Sequence, residues 1–185
     1  YYDTTTARWR VISNSQPVVP TILNRQVTTT TVANTVDLTT VYTFSVPANT
    51  LSTNRTLRMT WNADILYNNN AADTLAVTVS FGGSNMLTVS GTMVSGLNAN
   101  RRGQFGQAVL AAHNATNAQR SYVHMFYNAP AAEGSGSGQE NDQGAYNSSL
   151  ALDSTAAQTL LIQIQWGTAS ANNSYRMQNV VTELL

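Results

Sequence analysis

Apolar and polar residues alternate along several stretches of the chain, which is the pattern of a β-strand with one buried face. In residues 57–67 every second residue is apolar, from Leu57 through Trp61 to Tyr67. Residues 75–81 and 160–166 show the same alternation. No stretch convincingly shows the 3.6-residue period of an amphipathic helix. The sequence therefore predicts an all-β protein, with Trp61 and Trp166 in its core.

Turn-forming residues separate these stretches at 68–73, 82–85 and 114–119. The spacing predicts about eight antiparallel strands with loops of unequal length, which is typical of a β-sandwich of the jelly-roll type. No repeat of 20 to 50 residues is present, so a propeller or a solenoid is not expected. Residues 101–113 alternate less cleanly, and Gly103 and Gly106 there favour a strand with a bulge over a short helix.

The first 35 of the 185 residues do not share this pattern. Pro17 and Pro20 disfavour both a helix and a central strand. We expect an extended N-terminal arm at 1–35, with at most one strand at 25–32, followed by a jelly-roll domain at 36–185. Trp9 stands alone in the arm, and an exposed tryptophan commonly anchors an interface. The arm is therefore expected to pack on another chain or another protein.

A second irregular segment, residues 129–144, is rich in glycine and serine. It contains Glu133, Glu140 and Asp142 and almost no apolar side chain that could offset the entropy lost on ordering. We expect an exposed, mobile loop whose acids make contacts and do not form a catalytic pair.

Charged residues make up only 10% of the chain, with nine basic and nine acidic residues and no net charge. Such a chain lacks the basic stripe of a nucleic-acid-binding protein and the cationic face of a membrane-surface helix. No apolar run approaches the roughly 20 residues of a membrane span. The absence of cysteine excludes disulfides and thiolate chemistry. Since surface charge normally opposes association, we expect a subunit of a larger assembly, with a compositional bias of the source as the alternative.

Catalytic and metal-binding patterns are weak. His113 and His124 do not have zinc-ligand spacing. Residues 68–73 and 133–142 offer oxygen ligands for calcium but lack Asp-x-Asp spacing. Asp64 lies alone on the polar face of its strand, and no Gly-x-Ser-x-Gly motif is present. We expect no cofactor, no metal and no enzymatic activity, with a carboxylate-dependent glycan hydrolase as a remote alternative.

Two further groups are candidates for contacts. The doublet Arg101 and Arg102 could pair with carboxylates of a neighbouring chain, or could face water at a loop end. Tyr122, Tyr127 and Tyr146 flank the glycine-rich segment. They could bind sugars, or could lie at the rim of the core and at contacts between subunits.

Four segments together resemble a known class of proteins. They are FSVPANTLSTNRTLRMTWNADILY at 44–67, TLAVTVSFGG at 74–83, ANRR at 99–102 and NATNAQ at 114–119. Their order resembles C-terminal β domains in virion proteins of tailed bacteriophages, and the resemblance covers residues 36–185. It implies a trimeric jelly roll on the virion exterior, as a head decoration, a head fibre or a tail-fibre tip, and it supplies no catalytic residues. The expected partners are two further copies and other capsid or tail proteins. A receptor-binding tip that recognises host glycan is the alternative.

Overall fold

The computed structural model describes residues 2–3, 8–9, 19–69, 71–93, 101–128 and 140–185, with only the backbone at 2–3, 8–9, 92–93, 127–128, 140–143 and 148. These residues contain strands and turns and no helix. The strands are β1 (Tyr2–Asp3), β2 (Arg8–Trp9), β3 (Thr21–Gln26), β4 (Thr30–Ala33), β5 (Thr39–Val46), β6 (Thr56–Tyr67), β7 (Asp73–Phe81), β8 (Ser84–Met93), β9 (Arg102–Ala115), β10 (Ala118–Asn128), β11 (Glu140–Leu150), β12 (Gln158–Trp166) and β13 (Asn173–Leu184). The predicted all-β class is confirmed.

Two antiparallel sheets form a sandwich, as predicted. The seven-stranded sheet has the order β11-β10-β9-β6-β13-β3, with β4 also paired to β13, and the four-stranded sheet has the order β5-β12-β7-β8. If β3 and β4 are taken as one interrupted strand and β10 and β11 are set aside, eight strands remain. In chain order these eight are β3/β4, β5, β6, β7, β8, β9, β12 and β13. The larger sheet then has the order sixth-third-eighth-first, and the smaller sheet has the order second-seventh-fourth-fifth. This is the strand order of a jelly roll.

The jelly roll begins before residue 36, so the predicted boundary of the arm requires correction. β3 pairs with the second half of β13, where Gln26 faces Val180, and β4 pairs with the first half, where Val32 faces Tyr175. The sequence indicated at most one strand here, at 25–32, because β3 and β4 are short edge strands with little apolar alternation. Of the 18 residues before this region, the structure describes the β1–β2 pair alone, in which Tyr2 faces Trp9.

The glycine-rich segment is shorter than predicted at its C-terminal end. Residues 140–144 belong to β11, which pairs along β10 from Glu140 opposite Asn128 to Leu150 opposite Gln119. The rest of the predicted mobile loop, 129–139, lies outside the described residues. Among the described strands, β11 pairs only with β10 and so forms an edge of the sheet. Its polar residues therefore need not alternate with apolar ones, which is why the pattern along the chain did not predict a strand there.

The core lies between the two sheets. Its largest fully buried side chains come from β5, β6, β7, β12 and β13 and include Trp61, Trp166, Tyr42, Tyr67, Tyr175 and Phe81. The placement of both tryptophans is as predicted. Two buried hydrogen bonds between described side chains join the sheets. The hydroxyl oxygens of Tyr42 on β5 and Thr182 on β13 are 2.7 Å apart, and the Asn173 amide on β13 donates to Asp73 on β7 at 2.9 Å.

Candidate functional site

The outer face of the seven-stranded sheet is divided into a polar zone and an aromatic zone. Along β6 the side chains of Trp61, Ala63 and Ile65 point into the core, so the intervening Asn62 and Asp64 lie on the outer face. The neighbouring β13 continues this polar zone, with Asn179 opposite Asn62 and Arg176 opposite Asp64. On the other side of β6, the outer positions of β9 and β10 carry mainly aromatic and apolar residues.

Asp64 is the centre of the polar zone. Arg176 donates two hydrogen bonds of 2.9 Å to its carboxylate, one to each oxygen. Arg101 and Gln178 donate further hydrogen bonds to the same group. A register shift in β13 between Met177 and Asn179 adds the extra residue, Gln178, whose side chain reaches the carboxylate. Burial alone would raise the pKa of Asp64, but the hydrogen bonds from Arg176, Arg101 and Gln178 outweigh it and hold the pKa below its ordinary value.

This cluster is structural. An ionised carboxylate that accepts four hydrogen bonds within its own chain has no role left as a general acid or base. Arg101 also donates a hydrogen bond of 2.8 Å to the hydroxyl of Ser174, so it fastens the start of β9 to β6 and β13. Arg101 thus has partners within its own chain, and its pairing with a carboxylate of a neighbouring chain stays a prediction. Arg102 is half-buried, and burial lowers the pKa of its guanidinium.

Five rings form the second zone, which we call the aromatic face. It comprises Phe105 on β9, Tyr122, His124 and Phe126 on β10, and Tyr146 on β11. The ring centroids of Tyr122 and His124 are 6.3 Å apart and the two planes differ by 14°. His124 and Phe126 follow at 6.0 Å, and Phe126 and Phe105 at 5.3 Å. Four of the rings therefore form a continuous layer on β9 and β10, and Tyr146 is the cross-strand neighbour of Tyr122 on β11.

The aromatic face is open to solvent. Tyr146 is 62% exposed, Tyr122 49% and Phe126 43%. Tyr122 and Tyr146 are direct cross-strand partners, so two exposed tyrosines occupy neighbouring positions on β10 and β11. Exposure of several large rings in one patch is unusual for a protein surface and is typical of a contact site. The structure thus brings together two of the three tyrosines proposed from the sequence.

A groove of about 460 Å³ adjoins the aromatic face at Gly144, between β11 and the outer strand β8. Gly144 is opposite His124 in the β10–β11 pairing. A methyl group built on Gly144 would lie 3.9 Å from the Tyr122 hydroxyl and 3.9 Å from the His124 ring. Residues 85–90 of β8 and residues 144–145 of β11 line the groove. Since β8 is the last of the described strands in its sheet, its outer edge offers backbone N–H and C=O groups.

A second set of exposed apolar side chains lies at the opposite end of the sheets, and we call it the aliphatic edge. Its members lie in or beside β3, β4 and β5, at the edges of the two sheets. They are Val19, Ile22, Val27, Val36 and Leu38. In contrast to the aromatic face, none of these side chains carries a polar atom.

Some sequence-derived candidates lie where the structure describes no side chain. Trp9 is described only by its backbone in β2, and Tyr127 only by its backbone in β10, opposite Gln104 and Asn141. Glu133 lies outside the described residues.

Sequence reasoning missed Phe105, His124 and Phe126 as members of the aromatic face. His124 and Phe126 could have been found from the sequence, because they alternate with Val123 and Met125. This alternation places residues 122, 124 and 126 on one side of β10.

The described side chains offer no evident metal or catalytic site. They contain no group of three or more His, Cys, Asp or Glu residues able to hold a metal ion. In the segment considered for calcium, Asp73 is buried and accepts hydrogen bonds of 2.9 Å from the Asn173 amide and 2.8 Å from the Thr74 backbone N–H. His113 lies 3.0 Å from the guanidinium of Arg120 at the other end of β10. In the same described part of the chain, no helix is long and apolar enough to cross a membrane.

Comparison with known proteins gives structural similarity alone. No protein-family model matches the sequence, and no curated protein matches it. The chain is similar to the CBM2 module of the evolved Dit of Lactobacillus casei BL23 phage J-1, at 10% identity over 76% of this chain and 67% of that one, with a TM-score of 0.34. It is similar to a lectin from Bauhinia forficata in complex with GalNAc, at 9% identity over 80% and 79%, with a TM-score of 0.33. A third similarity is to infectious bursal disease virus, Gx strain, at 10% identity over 88% and 42%, with a TM-score of 0.29. The solved structures similar to this chain thus include parts of a phage and of a virus, at a level of likeness that does not extend to function.

Proposed function

We propose that this chain is a structural module of a bacteriophage virion exterior, that it assembles as a homotrimer, and that it has no catalytic activity. The observation that carries the proposal is the separation of its exposed apolar side chains into two groups. The aliphatic edge lies on β3, β4 and β5, and the aromatic face lies on β9, β10 and β11, at the opposite end of the larger sheet. In the proposed assembly, the aliphatic edge contacts other copies of the chain and the aromatic face is directed outward.

The aliphatic edge is the proposed contact between subunits. Aliphatic side chains gain free energy on burial and make no specific demand on the partner's polar groups. The adjacent edge strand β5, Thr39–Val46, contains neither a charged residue nor proline, so it lacks the usual protection against contact with another chain. Three such edges around a threefold axis would remove the exposed Ile22 and Leu38 from water while leaving each aromatic face outside.

Absence of catalysis is part of the proposal and rests on the state of the candidate groups. The Asp64 carboxylate is saturated by Arg176, Arg101 and Gln178. A glycoside hydrolase needs two carboxyl groups on either side of the scissile bond. Asp64 and Asp73 are each engaged in hydrogen bonds of the fold, on different strands and in different sheets.

The proposed position on a virion is supported by the resemblance of residues 36–185 to phage virion domains. The segment before β3, which contains Trp9, is the proposed attachment to the particle. Because the jelly roll begins at β3, residues 1–18 can be removed without removing any strand of the sandwich.

Light scattering after size-exclusion chromatography tests the assembly. We expect a mass about three times the 19.9 kDa of one chain. The double substitution Ile22→Arg and Leu38→Arg is expected to give a folded monomer, because six guanidinium groups would otherwise be buried around the axis. Asn62→Arg, on the exposed outer face of the large sheet, is the matched control and should remain trimeric. A monomeric wild-type chain would overturn the proposed trimer, and a trimeric double variant would overturn the proposed interface.

Attachment is tested separately by deleting residues 1–18. The shortened chain should keep its β-type circular dichroism spectrum and its trimeric mass but should no longer bind to particles that lack the protein. Undiminished occupancy of the particles by the shortened chain would show that attachment uses another surface.

A further inference from the structure

We propose that the aromatic face binds a neutral glycan and that the groove at Gly144 accommodates the next sugar units of the same chain. This inference goes beyond the proposed assembly function and does not depend on it. It rests on three properties of the surface: the chemistry of its rings, its charge, and the open path from the rings into the groove.

The rings match the two-sided chemistry of a sugar. A pyranose presents C–H groups on its faces and hydroxyl groups at its edge. Tyr122 and Tyr146 each present an apolar ring with a hydroxyl at its tip, so they can stack on such a face and hydrogen-bond to such an edge. The rings of Tyr122 and His124 are stacked with 6.3 Å between their centroids, so the aromatic surface extends beyond one ring. A contact for another protein subunit would not require polar tips, and the aliphatic edge has none.

The charged side chains that the structure describes around the face favour a neutral ligand over a polyanion. In the polar zone next to it, the two described acids are paired with arginines, Asp64 with Arg176 and Glu183 with Arg58 at 2.7 Å. Arg120 borders the face and lies within hydrogen-bond distance of His113. A phosphate-rich or strongly acidic polymer is bound by rows of basic side chains, and the described part of this face has no such row.

The path from the rings into the groove explains why a polymer is expected and not a small molecule. Gly144 itself places no side chain between the Tyr122 hydroxyl and the groove. The groove, at about 460 Å³, lies within the usual range for ligand sites, and backbone groups at the edge of β8 can both donate to and accept from sugar hydroxyls. Since the rings lie on an open sheet face, a single site should bind weakly, and several sites on one assembly should bind through avidity.

Affinity electrophoresis of the full chain in gels containing a neutral polymer tests the proposal. The probes are dextran, galactomannan and glycol chitin, with alginate as the anionic comparison. We expect retardation by at least one neutral polymer and none by alginate. Titration with short oligosaccharides of the retarding polymer, followed by NMR, then gives the affinity of one site independently of assembly.

Tyr122→Ala and Tyr146→Ala should each weaken that affinity about tenfold, because each removes a stacking ring. Gly144→Val should weaken it as well, because it closes the path without removing a ring; a Cβ at this position meets only ordinary contacts of 3.5 Å or more. Thr168→Ala, at an exposed position in the turn after β12 and outside both the aromatic face and the aliphatic edge, is the control and should bind as the wild type does.

Three results would overturn the proposal. The first is the absence of binding to all three neutral polymers with sugar units at about 10 mM, tenfold above a millimolar dissociation constant. The second is retardation by alginate alone. The third is dissociation of the oligomer by Tyr122→Ala or Tyr146→Ala, which would make the aromatic face a subunit contact. The double substitution at Ile22 and Leu38 alters assembly and not the single-site affinity, so the two proposals fail independently.

Discussion

Gly106 on β9 lies directly opposite Trp61 on β6, and the indole ring covers the glycine. A methyl group built on Gly106 would lie 2.0 Å from the Cζ2 atom of Trp61, far inside van der Waals contact. The pairing of β6 with β9 runs without a register shift from Thr56 to Ile65, so the bulge predicted at this glycine is not present. The glycine serves the packing of a tryptophan across two strands.

Gly106→Ala should therefore destabilise the protein by about 1–3 kcal/mol, the usual cost of overpacking a dense core. Gly103→Ala, three residues earlier on β9, is the control, since a methyl group there meets no atom within 4 Å. Urea denaturation measures both. Equal stability of the two variants would show that the indole moves aside at little cost.

Asp64→Asn should reduce the acid sensitivity of the fold. The pKa of Asp64 is lowered in the folded protein, so its stabilising contribution is complete above the ordinary value of 3.8 and is lost as the pH falls through the lower folded-state value. We expect the wild type to lose more unfolding free energy than the variant between about pH 6 and about pH 3. Asp37→Asn, at an exposed position, should follow the wild-type profile. Superimposable profiles for the wild type and Asp64→Asn would contradict the assignment.

Tyr42→Phe should cost about 1–2 kcal/mol, because it leaves the buried Thr182 hydroxyl without the partner that joins the two sheets. Adding Thr182→Val removes the orphaned hydroxyl, so the double variant should be more stable than the sum of the two single changes implies. Thermal unfolding of the four proteins completes the cycle. Simple additivity would mean that the hydrogen bond contributes little.

Asp73→Ala should destabilise the fold by about 1–3 kcal/mol, because it removes the acceptor for the buried Asn173 amide and for the Thr74 N–H. This carboxylate ties the first residue of β7 to the first residue of β13, in different sheets. Asp153→Ala changes an acid on the loop before β12 that bonds only to the nearby Thr155. In guanidinium titrations its midpoint should shift much less than that of Asp73→Ala. A larger shift for Asp153→Ala would contradict the structural role given to Asp73.

The alternation of apolar and polar residues by itself determined the all-β class, the strands β6, β7 and β12, and the burial of Trp61 and Trp166. It succeeded there because those strands are central in their sheets and have one face against the core. Each side chain is then buried or exposed according to its parity, that is, whether it occupies an odd or an even position along the strand. The tyrosines at 122 and 146 could be proposed as contact residues on chemical grounds, since large rings near a polar, glycine-rich segment have few places to be buried.

Only the tertiary structure decided which residues meet. β3, β4 and β11 are edge strands, so they bury too little to require alternation, and their sequences resemble those of loops. Arg101 meets Asp64 at a distance of 37 residues in sequence, through the β6–β9 pairing and a register shift in β13. The aromatic face also depends on register, because Phe105, Tyr122 and Tyr146 share one surface only when three strands are aligned. Parity is a property of one strand and can be determined from the sequence, whereas register is a relationship between strands and is set by the packing of the whole sandwich.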